Sequence, residues 1–179
     1  MDAAGWASVD DVLRVAEMTP DELNVAVATN DKGRLQLEGL RIRCCQGHSM
    51  DNMPVTRLAL EASWEAIAPF ASLWHGTSLD ALPGIGRLGI TSSHRTHVHL
   101  AESVDSKVGK RAHVDVLIEI GPEALRRAGL GVFRAQNGVV LVERVPLESI
   151  VAVHPVGTDR RSLGTACRAA SLPLATGGG

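Results

Sequence analysis

The chain has 179 residues, 45% of them hydrophobic, and its 18 basic and 20 acidic side chains leave a formal net charge of −2. This length and apolar fraction suffice for one core or two small ones, and the near-neutral charge excludes a polycationic nucleic-acid coat. With three Trp, two Phe and no Tyr, a platform that stacks single-stranded bases is not expected. A nucleic-acid ligand would be held through its phosphates.

Two helices are predicted near the start of the chain. The first begins at Ser8, which precedes apolar residues at helical spacing. The second begins after Thr19, where a capping threonine is followed by a proline and then by Glu22. This second helix is expected to run to about Asn30.

A β-hairpin is predicted next, because polar and apolar residues alternate in 34–37 and 40–43 on either side of a glycine turn. Two helices and a hairpin indicate a small winged-helix-like lobe over residues 1–54. The pattern weakens over residues 50–71, which contain two prolines, so the boundary between two lobes is placed there.

A second lobe over residues 55–156 is predicted to be rich in β structure, which makes the fold class α+β. Its predicted strands cover residues 72–75, 97–101, 114–120, 131–135, 138–143 and 150–154. Its predicted helices cover residues 79–87, 102–111 and 122–128. Residues 157–179 are rich in Gly, Ser, Thr and Ala, and are expected to form a flexible tail.

The cysteines do not favour a disulfide framework or a Cys-rich zinc site, because their number is odd and Cys44 and Cys45 are adjacent. No apolar run approaches the roughly 20 residues of a membrane span, and the first residues are acidic and small. We therefore expect a cytoplasmic, monomeric protein without a membrane partner.

A glycine turn and three polar side chains follow the hairpin, at Gln46, Gly47, His48 and Ser49. Arg43, at the end of the preceding strand, offers a planar fork of donors that matches phosphate oxygens. Such a place suits an anion. The structural alternative is a solvated arginine on an edge strand.

The segment from His75 to Thr77 ends a short apolar strand and leads through Ser78 into a helix. Backbone N–H groups and a hydroxyl there can meet a pyrophosphate or a ribose. Helix capping by Thr77 or Ser78 explains the hydroxyls equally well.

Two histidines, His97 and His99, lie on one face of a predicted strand because side chains alternate along it. Such a pair can ligate zinc, but a third ligand is not evident, and ordinary histidines are the alternative. Farther along, Lys107, Lys110 and Arg111 share one face of a predicted helix. Such a cluster of basic residues is usually a solvated helix face. If the two lobes face each other, however, Lys110 and Arg111 could reach an anion bound beside the hairpin.

Taken together, these blocks resemble the RNA 2′-phosphotransferases, a family known from tRNA splicing in eukaryotes and found in bacteria and archaea. The resemblance rests on eight blocks that stand in the family's order over residues 1–154. They are Gly5-Trp6 with Val9-Asp10, Asn30-Asp31-Lys32-Gly33-Arg34, Ile42-Arg43 through Gln46-Gly47-His48-Ser49, His75-Gly76-Thr77, Arg95-Thr96-His97-Val98-His99-Leu100, Val108-Gly109-Lys110-Arg111, Asn137-Gly138-Val139 and Val145-Pro146.

The resemblance implies a winged-helix RNA lobe followed by an ADP-ribosyltransferase-like NAD lobe. It implies that Arg43 and Arg111 are catalytic and bind the RNA 2′-phosphate. Further contacts to the phosphate or RNA are implied for Gln46, His48, Ser49 and Lys110. The NAD site is implied to comprise His75, Gly76, Thr77, Arg95 and His99.

The implied reaction removes an internal 2′-phosphate from RNA, with NAD as co-substrate and without a metal. The phosphate displaces nicotinamide, which gives an ADP-ribosylated 2′-phosphate on the RNA. The ribose 2″-hydroxyl then attacks phosphorus, releasing RNA with a free 2′-hydroxyl and ADP-ribose 1″,2″-cyclic phosphate.

The chain departs from the family at its start. Family members carry a Leu-Arg-His-x-Pro motif ahead of the matched region, and this chain does not contain it. Met1 is therefore expected to be an internal codon of a longer reading frame, and the RNA lobe to be N-terminally truncated. The alternatives are a catalytically impaired remnant that binds RNA or NAD, and an ADP-ribosyltransferase that acts on RNA ends or proteins.

Overall fold

A computed structural model describes residues 1–49, 51–106 and 114–176, and its mixture of helices and small sheets confirms the α+β class. The helices are α1 (Val9–Ala16), α2 (Pro20–Ala28), α3 (Arg57–Ala62), α4 (Leu82–Leu88), α5 (Pro122–Arg127) and α6 (Arg160–Ala170). The strands are β1 (Ala7–Ser8), β2 (Leu35–Glu38), β3 (Arg41–Cys44), β4 (Glu65–Ala66), β5 (Leu73–Thr77), β6 (Ile90–Thr91), β7 (Val98–Leu100), β8 (Val116–Ile120), β9 (Val132–Arg134), β10 (Val140–Val142), β11 (Arg144–Val145) and β12 (Ile150–Pro155).

The N-terminal unit consists of α1, α2 and a three-stranded sheet in the order β1-β3-β2. The predicted start of α2 is confirmed, because Thr19 and Glu22 form a reciprocal capping box. The predicted hairpin is also confirmed, with Gly39 in the left-handed region at its turn. Ser8 precedes α1 as expected, but its side chain makes no capping hydrogen bond.

The rest of the chain has a small two-stranded sheet, β11-β6, and two larger sheets whose edge strands meet. One has the order β12-β8-β5 and the other the order β4-β9-β10-β7. They join where Trp74 of β5 and Ala101, next to β7, exchange backbone hydrogen bonds of 2.9 and 2.8 Å. Buried aliphatic side chains of both sheets form the main core, among them Leu73, Ile118 and Val140. This junction sets β5 beside β7.

Short elements in the second half depart from the predicted boundaries. The weak stretch 50–71 contains α3 and β4, and the predicted helix 79–87 is a 3-10 turn at Leu79–Ala81 followed by α4. Residues 102–106 of the predicted helix 102–111 form bends and a turn, and its remainder lies outside the described residues.

The prediction of a flexible tail is wrong for residues 160–176. Asp159 caps α6 by accepting from two backbone N–H groups, and Leu163 and Cys167 are buried in the main core. After the helix, Ala175 donates a backbone hydrogen bond to Val153 of β12. Among the described residues, no helix is long and apolar enough to cross a membrane.

Candidate functional site

The segment that follows β3 lies beside the residues that precede β7. Ser49 forms an isolated antiparallel bridge with Arg95, and the backbone N–H of Thr96 donates to the carbonyl of His48 at 3.1 Å. The Ser49 hydroxyl donates to the carbonyl of His94 at 3.3 Å. Two parts of the sequence that were singled out separately, 46–49 and 95–99, are therefore neighbours.

Gly47 lies against the second of these segments. Its φ is +86°, and a Cβ on it would lie 3.3 Å from Nη1 of Arg95 and 3.6 Å from Cε1 of His99. A side chain at this position would be strained by the backbone and would also press on Arg95. Because residue 47 is a glycine, the turn at 46–49 can lie against the His99 ring.

His75 and His99 come together because β5 lies beside β7. Nδ1 of His75 is 3.0 Å from the His99 carbonyl oxygen, so this nitrogen carries the proton and donates. Nη1 of Arg95 lies 3.4 Å from Nδ1 of His99, which accepts. Burial, together with the nearby Arg95 and His75, lowers the pKa of His99 to about 4. His99 is thus a neutral imidazole at neutral pH.

A cleft of about 250 Å³ opens beside His75 and Thr77, and α4, Gly89 and β6 form its other wall. Thr77 and Gly76 are buried at the end of β5, whereas Ile85, Leu88 and Ile90 give the wall an apolar character. The volume is below the range of complete small-molecule sites and suits one end of a dinucleotide. A larger hollow of about 450 Å³ runs along α6, and it shares no residue with this cleft.

Arg43 is buried at the end of β3 rather than solvated. Its Nε donates to Oε1 of Gln36 at 2.8 Å, and its Nη1 donates to Oγ of Ser63 at 2.8 Å and to the carbonyl of Ala4 at 3.2 Å. The ring of Trp6 lies 4.5 Å from the guanidinium carbon. Burial lowers the pKa of Arg43, although an arginine stays charged at physiological pH. Its remaining donors belong to Nη2.

His48 is buried beside Arg43. Its Nδ1 has no hydrogen-bond partner within the described ranges, and a Cβ on Gly5 would lie 2.5 Å from its Nε2. Burial and the charge of Arg43 lower the pKa of His48, so the ring is neutral. A buried nitrogen without a partner is costly, and an anion or its water would relieve that cost.

His97 has a different environment from His99. Its Nε2 lies 3.0 Å from Oε1 of Glu61, and its ring packs edge-on against Trp64 with centroids 4.9 Å apart. This histidine supports the packing of α3 on β7. In the described parts of the chain, no three His, Cys, Asp or Glu side chains are close enough to hold a metal ion.

The structure places some of the predicted site residues close together, whereas others lie outside the described residues. Arg43 and His48 form one group, and His75, Arg95 and His99 form a second, with Gly47 and the half-buried Gln46 and Ser49 between them. Lys107, Lys110 and Arg111 lie outside the described residues. Sequence reasoning missed the partners of Arg43, because nothing in the local pattern marks Trp6, Gln36 or Ser63 as neighbours of that arginine.

Known proteins resemble most of this chain. The sequence profile of the family described as RNA 2′-phosphotransferase, Tpt1 / KptA family, matches residues 1–144. A probable RNA 2′-phosphotransferase of Pseudomonas syringae pv. tomato is 35% identical over 162 residues, which are 86% of this chain and 83% of the relative. Another, from Pseudomonas aeruginosa strain PAO1, is 35% identical over 159 residues, 84% of each chain. A third, from Acaryochloris marina, is 31% identical over 167 residues, 86% of each chain.

Proposed function

Since this chain belongs to the RNA 2′-phosphotransferase family, Tpt1/KptA, we propose that it removes the 2′-phosphate from RNA with NAD as co-substrate. The products are RNA with a 2′-hydroxyl, nicotinamide and ADP-ribose 1″,2″-cyclic phosphate. The observation that carries the proposal is the position of the neighbouring residues His48 and Gly47, because His48 lies within the influence of the Arg43 charge and Gly47 lies against Arg95 and His99. On one side, Arg43 is held by hydrogen bonds and keeps its Nη2 donors free of any described acceptor, and on the other side the neutral His99 and its neighbour His75 lie beside a cleft.

The N-terminal unit supplies the anion site. We assign α1, α2 and the hairpin to a winged-helix-like RNA lobe over residues 1–54. A 2′-phosphate carries nearly two negative charges at neutral pH. The Nη2 donors of Arg43 meet such an anion in a buried place where charge-assisted hydrogen bonds are strong. Lys110 and Arg111 complete the phosphate site, and Gln46, His48 and Ser49 contact the phosphate or the adjoining RNA.

The second lobe, over residues 55–156 with an ADP-ribosyltransferase-like arrangement, supplies the NAD site. The cleft fits this role in two respects. Its apolar wall, with Ile85 and Leu88, suits the flat face of an aromatic ring such as that of nicotinamide, and Thr77 and His75 place polar atoms for the ribose. Gly76, Arg95 and His99 complete the residues of the NAD site.

A cytoplasmic location and a monomeric state stay predictions.

The side chains act by orientation and by exclusion of water. Bound NAD supplies the ribose carbon from which nicotinamide leaves. Arg43 aims a phosphate oxygen at that carbon, and an already ionised phosphate needs no general base, which agrees with the neutral state of His99. The RNA then carries an ADP-ribosylated 2′-phosphate. Attack by the ribose 2″-hydroxyl on phosphorus breaks the bond to the RNA 2′-oxygen and closes the cyclic phosphate.

Chromatography of the products tests this reaction. The protein is incubated with an oligonucleotide bearing one internal 2′-phosphate, with and without NAD, beside the same oligonucleotide with a 2′-hydroxyl. We expect dephosphorylated RNA and ADP-ribose cyclic phosphate in equal amounts, and only when NAD and the 2′-phosphate are both present. A stable ADP-ribosylated oligonucleotide as the final product would contradict the second step. Loss of phosphate without NAD would contradict the first.

A further inference from the structure

We propose that Gln36 and Ser63 are positioning residues that lock the Arg43 guanidinium and present only its Nη2 edge to the RNA 2′-phosphate. The inference deepens the proposed function and rests on it, because it takes the 2′-phosphate as the anion that Arg43 meets. It adds two residues that do not touch the substrate. Their role is to fix the direction in which the arginine donates.

The lock follows from a count of donors. A guanidinium has five N–H groups, one on Nε and two on each Nη. Gln36 occupies the one on Nε, and Ser63 and the carbonyl of Ala4 occupy the two on Nη1. The two groups on Nη2 have no acceptor in the described part of the chain. A bidentate fork that uses two nitrogens is therefore closed to an incoming phosphate.

Each partner is itself fixed. Gln36 stands directly opposite Arg43 in the register of the β2–β3 hairpin. Ser63 ends α3, where its hydroxyl donates to the carbonyl of Leu60 at 2.7 Å. Because the single hydroxyl proton is used there, only oxygen lone pairs face Arg43. The next residue, Trp64, donates its Nε1–H to the carbonyl of Cys45 at 2.8 Å, which ties the end of α3 to the end of β3.

Arg41 lies on the same strand as Arg43 but lacks the hydrogen bonds that hold the Arg43 side chain in place. It lies two residues before Arg43 and also contacts Trp6, with 4.9 Å between its guanidinium carbon and the ring. It is exposed and makes no side-chain hydrogen bond or ion pair with any described residue. A long side chain of this kind loses rotamer freedom when it binds a ligand, whereas Arg43 has already lost it. The locked arginine is thus the pre-organised one.

The test measures binding without NAD, so that turnover is not needed. Fluorescence titration gives the affinity of an oligonucleotide with one 2′-phosphate and of its 2′-hydroxyl counterpart, and their ratio is the 2′-phosphate preference. Ser63→Ala and Gln36→Ala are each expected to reduce this preference about tenfold, since each removes one hydrogen bond that orients a charged donor. The affinity for the 2′-hydroxyl oligonucleotide and for NAD should stay unchanged.

Two further variants separate positioning from general loss of stability. Ser63→Thr keeps a hydroxyl at the end of α3 and should restore the preference. Thr29→Ala is the matched control, because Thr29 ends α2 and its hydroxyl donates to the carbonyl of Val25 at 2.8 Å without touching an arginine. It should leave the preference intact. If Ser63→Ala does not fold, Gln36→Ala, on the half-exposed hairpin, carries the test.

The outcomes are distinct. No preference for the 2′-phosphate in the unchanged protein overturns the proposed phosphate site and this inference with it. A preference that survives in folded Ser63→Ala and Gln36→Ala overturns the inference alone. So does a Ser63→Thr protein that is folded but as weak as Ser63→Ala.

Discussion

Gly47 shows how one residue allows the two halves of the site to approach. Its positive φ alone would cost an alanine roughly 1 kcal/mol, and the short distance to Arg95 adds crowding. Gly39 is the matched control, because its φ is +57° but a Cβ there meets nothing within 4 Å.

We predict that Gly47→Ala weakens NAD binding by displacing Arg95 and His99, while Gly39→Ala lowers stability alone. Isothermal titration with NAD, paired with thermal unfolding, measures both effects. Equal NAD affinities in the two variants would show that the contact at Gly47 does not matter for the cleft.

The lowered pKa of His99 makes folding sensitive to acid. Its pKa falls from 6.5 to about 4 in the folded protein, so between these values the unfolded chain binds more protons and the folded state loses stability as pH falls. The loss from this residue amounts to about 3 kcal/mol when pH reaches 4 or below.

We predict that the free energy of unfolding, measured by urea titration from pH 7 to pH 4, falls less steeply in His99→Gln than in the unchanged protein. His94→Gln is the control, because the side chain of His94 is 86% exposed. A His99→Gln protein with the same slope as the unchanged protein would contradict a neutral imidazole of lowered pKa at this position.

Individual site residues could be singled out from the sequence, but their surroundings could not. A glycine turn after a basic strand pointed to Arg43 and His48, and the strand end at His75 and the pair of His97 and His99 were singled out separately. The burial of Arg43 depends on Ser63, which is distant in sequence and lies in a stretch with no clear periodicity. A tertiary contact of that kind leaves no mark in a local pattern.

The packing of α4 against α6 is the feature at the scale of elements that the sequence pattern missed. The signal was present, since Leu163, Cys167 and Ala170 recur at helical spacing behind a capping Asp159. The small residues between them resemble a tail by composition. The two-residue strands β4 and β6 were missed for a different reason, because a period of two cannot be recognised in two residues.

We predict opposite effects from two glycines of α4. A Cβ on Gly86 would lie 2.0 Å from the backbone oxygen of Ala170, whereas a Cβ on Gly84 meets nothing within 4 Å. Gly86→Ala should destabilise the protein by separating α4 from α6, and Gly84→Ala should stabilise it by up to about 1 kcal/mol through helix propensity. Chemical denaturation measures the free energy of unfolding of both variants. If both variants were more stable than the unchanged protein, α6 would not pack on α4.

For the whole molecule, the proposed function gives one ligand to each unit. The N-terminal sheet holds Arg43, the rest of the chain holds the cleft, and residues 46–49 connect the two through the pairing of Ser49 with Arg95. A net charge of −2 agrees with focused phosphate recognition rather than with a broad basic surface. The division into two lobes stays a prediction from the sequence, whereas the pairing between Ser49 and Arg95 could not be predicted from a local pattern.

The central claim is tested most directly by titrating two ligands into three proteins. NAD and a 2′-phosphorylated oligonucleotide are each titrated calorimetrically into the unchanged protein, Arg43→Ala and Thr77→Val. Arg43→Ala should lose affinity for the oligonucleotide by tenfold or more, as expected for a charge-assisted contact, and keep its affinity for NAD. Thr77→Val should do the reverse. If either variant weakens both ligands equally while remaining folded, the assignment of one ligand to each unit is contradicted.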